Sequence, residues 1–186
     1  EVNVKLSETQ VVLDNVSVSL ETMTRDIRYG SDFHCADTVP DTTISTSYQL
    51  RRNCSYDNVG ANHGGRVLIL KPVDAATSTD RVAYYASTTP TGMVIEKDEY
   101  FYGKPKATYQ ITADDVRIKS LVFYVTGASS TVLAKDEFDV EIPCTNDYIQ
   151  PLITLMINGE TVPLKESATP TPFVVQTSIS SRVLDN

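Results

Sequence analysis

Between residues 11 and 30 the apolar positions Leu13, Val16, Leu20, Met23 and Ile27 recur at steps of 3, 4, 3 and 4. That spacing sets them on one face of a helix. Asp14, Asn15, Ser17, Ser19, Glu21, Thr24, Arg25 and Arg28 fill most of the remaining arc, and Gly30 is a natural stop. Upstream, Val2, Val4, Leu6, Val11 and Val12 continue the apolar content. Residues 3–29 are therefore predicted to form one helix, about 40 Å long at 1.5 Å per residue. Valine is a modest helix former, so tertiary packing has to hold this element.

After Gly30 the period changes. Residues 31–64 hold Cys35, Pro40, Cys54 and many Asp, Asn, Ser and Thr. Only 44–50 suggests a strand there, and the segment reads as a long, locally structured loop. From residue 65 strand signals follow one another. RVLIL (66–70) comes after two glycines, and RVAYYA (81–86) leads through a turn at 90–92 into MVIEKDEYFY (93–102). Val116, Ile118, Leu121, Phe123 and Val125 nearly alternate, with a slip at Lys119-Ser120 that predicts a bulge. Ile149, Leu152, Ile153, Leu155 and Ile157 predict a strand ended by a turn at Asn158-Gly159, with 161–164 pairing back across it. A polar, proline-rich stretch (165–172) precedes the final strand, 173–183. No internal repeat and no second domain is visible.

The chain has 186 residues, of which 41% are apolar, enough for one domain with a proper core. The formal charge of −8 argues against nucleic acid or an anionic membrane as a partner, because phosphates need a basic footprint. The apolar runs are far shorter than the roughly 20 residues that span a bilayer. Abundant Ser and Thr, ten Tyr and no Trp suggest an exported, β-rich protein. Glu1 is expected to be a processed or engineered end.

Three cysteines allow at most one internal disulfide. Cys35 and Cys54 are the candidate pair; their bond would close about 20 residues and contribute on the order of 3 kcal/mol. Cys144 could displace either partner. His34, Cys35, Cys54 and His63 offer zinc-type ligands, but without a Cys-x2–4-Cys or His-x3–5-His spacing. The run 135–141 could present carboxylates to calcium, yet it lacks the spacing and glycine of an EF-hand loop. Alternation there instead places Phe138 and Val140 inward and Glu137, Asp139 and Glu141 in water. GANHGG (60–65) is glycine-rich but has no P-loop lysine and no helix after it. With two histidines, no Gly-x-Ser-x-Gly and no His-Glu-x-x-His, the chain is expected not to be an enzyme and to need no metal or cofactor.

Several runs resemble one family. Leu20, Glu21, Met23, Arg25, Asp26, Ile27 and Arg28 match the "leu-glu-x-met-x-arg-(asp/glu)-ile-arg" helix end of minor type IV pilins and of J-type pseudopilins of type II secretion. VRIKSLVFYVTG (116–127), IQPLITLMING (149–159) and FVVQTSISSRVLDN (173–186) resemble that family's late strands, in the same order. Residues 31–64 and 128–148 match nothing in it. The family's mature N-terminus, a phenylalanine and a strongly apolar stretch with glutamate at its fifth position, has no counterpart here.

The resemblance implies an α+β fold. A long N-terminal helix (1–30) would pack on a strand-rich antiparallel β domain (31–186), pilin-like and forming one domain. Leu13, Val16, Leu20, Met23 and Ile27 would pack helix to head. Val2, Val4, Leu6, Val11 and Val12 would meet the helices of other pilins or minor pilins in a filament core. An apolar segment upstream of Glu1 would anchor the subunit in the inner membrane before assembly. The implied role is a structural minor subunit at or near the tip of a cell-surface pilus or periplasmic pseudopilus, where it initiates assembly. The rival reading is a secreted β-sandwich binding or adhesion module, or a donor-strand fimbrial subunit, in which residues 1–12 form a strand.

Overall fold

The computed structural model describes residues 2–38, 54, 64–128, 133–135, 141–143, 150–162 and 169–182, with the backbone alone at 2–9, 11–13, 133–135 and 141–143. Helix α1 runs unbroken over Val2–Tyr29. It stops where Gly30 donates its N–H to the carbonyl of Asp26 at 2.8 Å. The chain then passes directly into β1 (Ser31–Ala36), followed by β2 (Val67–Lys71), β3 (Arg81–Thr89), β4 (Gly92–Tyr100), β5 (Ala107–Gln110) and β6 (Val116–Thr126). β7 (Leu133–Lys135), β8 (Glu141–Pro143), β9 (Leu152–Thr161) and β10 (Pro172–Ser180) complete the order. Eight strands form one antiparallel sheet in the order β1-β2-β3-β4-β6-β9-β10, with β5 on the flank of β4; β7 and β8 pair only with each other.

The sheet curls until its parts meet. Gly65, just before β2, exchanges two backbone hydrogen bonds of 2.8 Å with Phe123 of β6. Cys54 does the same with Val125, at 2.9 and 3.2 Å. The main core lies inside this curl and contains Phe33, Leu68, Leu70, Tyr84, Ile95, Phe123, Ile153, Leu155 and Ile157. A second cluster, with Val67, Ile69, Ala83 and Tyr85, occupies the opposite face of β1–β3.

This corrects the expected fold class. The molecule is mostly antiparallel β-sheet, about 55% strand, rather than an α+β fold built on a long packed helix. The physical reason is where the apolar burial comes from. Among the described side chains buried in the main core, α1 supplies Val16, Met23 and Ile27, and strands or their bridges supply nearly all the rest. The strand that the rival reading placed at residues 1–12 is corrected too, because the chain is helical from Val2 onward. Among the described residues no second large sheet faces the first as in a sandwich.

Individual strands follow the alternation closely. The β3–β4 hairpin closes on Pro90-Thr91, with Thr89 opposite Gly92. Gly92 sits at φ 138°, a conformation that side-chain-bearing residues avoid. The register of β6 against β9 shifts between Ile118 and Ser120, so Lys119 is the bulged residue. Two expectations are corrected, and one strand is added. Residues 31–36 are a strand rather than the start of a loop. Residues 107–110 add β5, which no pattern announced. Asn158-Gly159 is not a turn, because β9 runs straight through it. Gly159 has a packing role instead: a Cβ there would lie 2.5 Å from the Phe173 ring and 2.8 Å from the Arg117 carbonyl. Asn158 donates its side-chain N–H to Ser120 Oγ at 2.7 Å. The possible strand at 44–50, the acidic run at 136–140 and the return pairing at 163–164 lie outside the described residues.

Candidate functional site

The last turns of α1 are fixed by a buried polar knot. Tyr84, in the middle of β3 and 0% exposed, donates its hydroxyl to Asp26 at 2.5 Å. Lys97 of β4 reaches both Asp26 and Glu99, each at 2.9 Å. Burial lowers the Lys97 ammonium, but its bonds to Glu99 and Asp26 outweigh this and hold it above the ordinary lysine range. Burial, followed by the charge of Asp26, drives the Tyr84 phenol far above its usual value, so it stays a donor at any working pH.

Above this knot opens a cavity of about 640 Å³, between the end of α1, the β2–β3 loop and the segment after β4. Asp80 shapes the loop side. It is 1% exposed and accepts N–H bonds from Ala76 (2.7 Å), Thr77 (3.0 Å) and Tyr102 (2.8 Å). The Tyr102 N–H, and next the Thr77 hydroxyl, hold its carboxyl down to about 2. The rim of the cavity is open to water, with Val73 76% exposed and Tyr102 79%. The floor carboxylates are thus engaged internally, and the exposed lining mixes Val73 and Tyr102 with the charged Arg25, Asp74 and Lys104.

The apolar stripe of α1 falls as follows. Val16, Met23 and Ile27 are buried in the core, and Leu20 packs against it partly buried. The side chains of Leu13, Val2, Val4, Leu6, Val11 and Val12 lie outside the described residues. Ser19, which the spacing set on the polar arc, is instead buried, 1% exposed. Its hydroxyl meets the carbonyls of Ile111 at 2.7 Å and Asn15 at 3.1 Å. Asn15 donates to both carboxylate oxygens of Asp115, at 2.9 and 2.8 Å. The only sequence signal for Ser19 was its place three residues after Val16 and four before Met23.

Cys35 and Cys54 form a disulfide with Cα atoms 6.3 Å apart. Both are therefore withdrawn from metal binding, and Cys144 and His63 lie outside the described residues. His34 contacts Asp32 at 3.1 Å, and Asp32 in turn pairs with Arg81. Among the described residues no three His, Cys, Asp or Glu side chains converge as metal ligands. No helix among them is long and apolar enough to cross a membrane. No family model, no curated protein and no solved structure matches the chain.

Proposed function

We propose that this chain is a structural minor subunit of a type IV pilus or type II secretion pseudopilus, acting at or near the filament tip in the initiation of assembly. One observation carries the reading: α1 is continuous over 28 residues from Val2 to Tyr29, and Val16, Met23 and Ile27 of its later half lie in the core of the sheet. The half before Asn15 carries Val2, Val4, Leu6, Val11 and Val12, an apolar content suited to neighbouring helices. The resemblance at Leu20–Arg28 supports the same reading, and its residues have work to do here: Met23 and Ile27 fill the core while Asp26 anchors the helix end.

In this account an apolar segment preceding Glu1 holds the subunit in the inner membrane. On assembly, helix–helix contacts replace lipid contacts, with other pilins or minor pilins as partners. The globular part then stands at the cell surface or in the periplasm. The test is Val4→Asp with Val11→Asp in the full-length gene. Loss of the subunit from filaments, with unchanged thermal unfolding of the isolated globular part, is expected. Normal incorporation would overturn the reading.

A further inference from the structure

β1 and β10 stand at the two ends of the strand order, and among the described residues they do not pair with each other. They are joined nevertheless. The ladder between β9 and β10 runs without interruption from Pro172 opposite Glu160 to Ser180 opposite Leu152. The Ser181 N–H extends it by donating to the Pro151 carbonyl at 2.9 Å. Successive residues of an antiparallel strand turn their peptide groups to opposite sides. The next N–H, that of Arg182, turns away from β9 and donates to the Arg28 carbonyl in the last turn of α1 at 2.8 Å. The Ser181 hydroxyl donates to the carbonyl of Gly30, the residue before β1, at 3.0 Å.

Each contact answers a need of the helix end. The last carbonyls of a helix have no partner within it, and leaving such a group buried and unpaired is costly. Gly30 receives its donor from a residue 151 positions later in the chain. Ser181 is 1% exposed, so water does not reach the place its hydroxyl fills. The Arg182 guanidinium lies 5.7 Å from the centre of the Tyr29 ring. That adds a cation–π contact and sets a positive charge at the negative end of the helix. The same turn is held on β3 and β4 by Tyr84 and Lys97, through Asp26. The end of α1 thus spans from the middle of the sheet to its final strand.

We propose that Ser181 and Arg182 are a clasp. They fasten the last strand to the junction of α1 and β1, and opening them frees residues 28–30, beyond the buried Ile27, while the sheet stays folded. Three polar contacts hold the clasp, whereas long ladders and apolar burial hold β6 and β9. Segments of the first kind open locally at a lower free energy than segments of the second. Tyr29 also walls the cavity beside Arg25 and Asp26, so the clasp fixes the helix side of that cavity. The clasp is independent of the filament reading.

Amide hydrogen exchange on the whole chain tests this. In the parent, the N–H groups of residues 28–30 are expected to exchange at least tenfold faster than those of Phe123 and Leu155 inside the sheet. Ser181→Ala removes the hydroxyl donor, and Arg182→Pro removes the N–H donor. Each is expected to speed exchange at 28–30 at least tenfold further, with Phe123 and Leu155 staying within about twofold of the parent. Val174→Ala, at the exposed far end of β10, should change neither. One common exchange rate for 28–30 and the sheet in the parent overturns the proposal, and that result stands even where a variant fails to fold. Unchanged exchange at 28–30 in both variants, or an equal rise in the sheet, also overturns it.

Discussion

The hydroxyl of Tyr84 meets the carboxylate of Asp26 at 2.5 Å, joining the centre of β3 to the last turn of α1. A hydrogen bond to a charged group contributes about 1.5–3 kcal/mol. Tyr84→Phe removes it while leaving Lys97 against Asp26. A loss of that size in urea unfolding is expected, and Asp26→Ala should cost more because Lys97 then keeps only Glu99. Equal stability of Tyr84→Phe and the parent would show that the knot does not hold the helix.

The Cys35–Cys54 bond links β1 to the bridge beside Val125 across a separation of 19 residues. Loop-closure entropy gives about 3 kcal/mol for a loop of that size. Replacing both cysteines with alanine is expected to lower the unfolding free energy by about that amount. Adding reductant to the parent during thermal unfolding should produce a similar drop. A melting temperature insensitive to reductant would contradict this.

Gly159 lets Phe173 close over β9. Gly159→Ala forces a methyl group against the Phe173 ring and the Arg117 carbonyl, and overpacking of this kind costs about 1–3 kcal/mol. Adding Phe173→Leu should recover part of the loss but not all of it, since the carbonyl remains. Full recovery, or no loss at all, would show that the strands separate freely there.

Asp80 predicts part of the acid limb. Its carboxyl titrates at about 2 in the folded chain, whereas an unfolded aspartate titrates near 3.9. A folded value below the unfolded one means stability that is complete above about pH 4 and is lost as the pH falls toward 2. The difference in melting temperature between the parent and Asp80→Asn should therefore shrink across that window. A constant difference would place the stabilisation elsewhere.

What the sequence revealed depended on how local each signal was. The slip at Lys119-Ser120 was legible because a bulge breaks alternation within one strand. SDFHCA hid as a strand because its alternation is broken by its own register shift and its partner, β2, lies some thirty residues onward. Asn158-Gly159 has turn chemistry, yet the glycine there answers to Phe173, a contact only the paired strands disclose. The helical stripe was visible, but its share of the core was not, and the fold class was overweighted toward the helix for that reason. The cavity was invisible because Asp26, Asp80 and Lys97 come from three separate segments.

The most direct measurement of the central claim is the coding sequence immediately upstream of Glu1. The filament reading predicts a short basic leader, then glycine or alanine, then phenylalanine and about 20 apolar residues running into α1. A conventional cleaved signal peptide ending at Glu1 would contradict it.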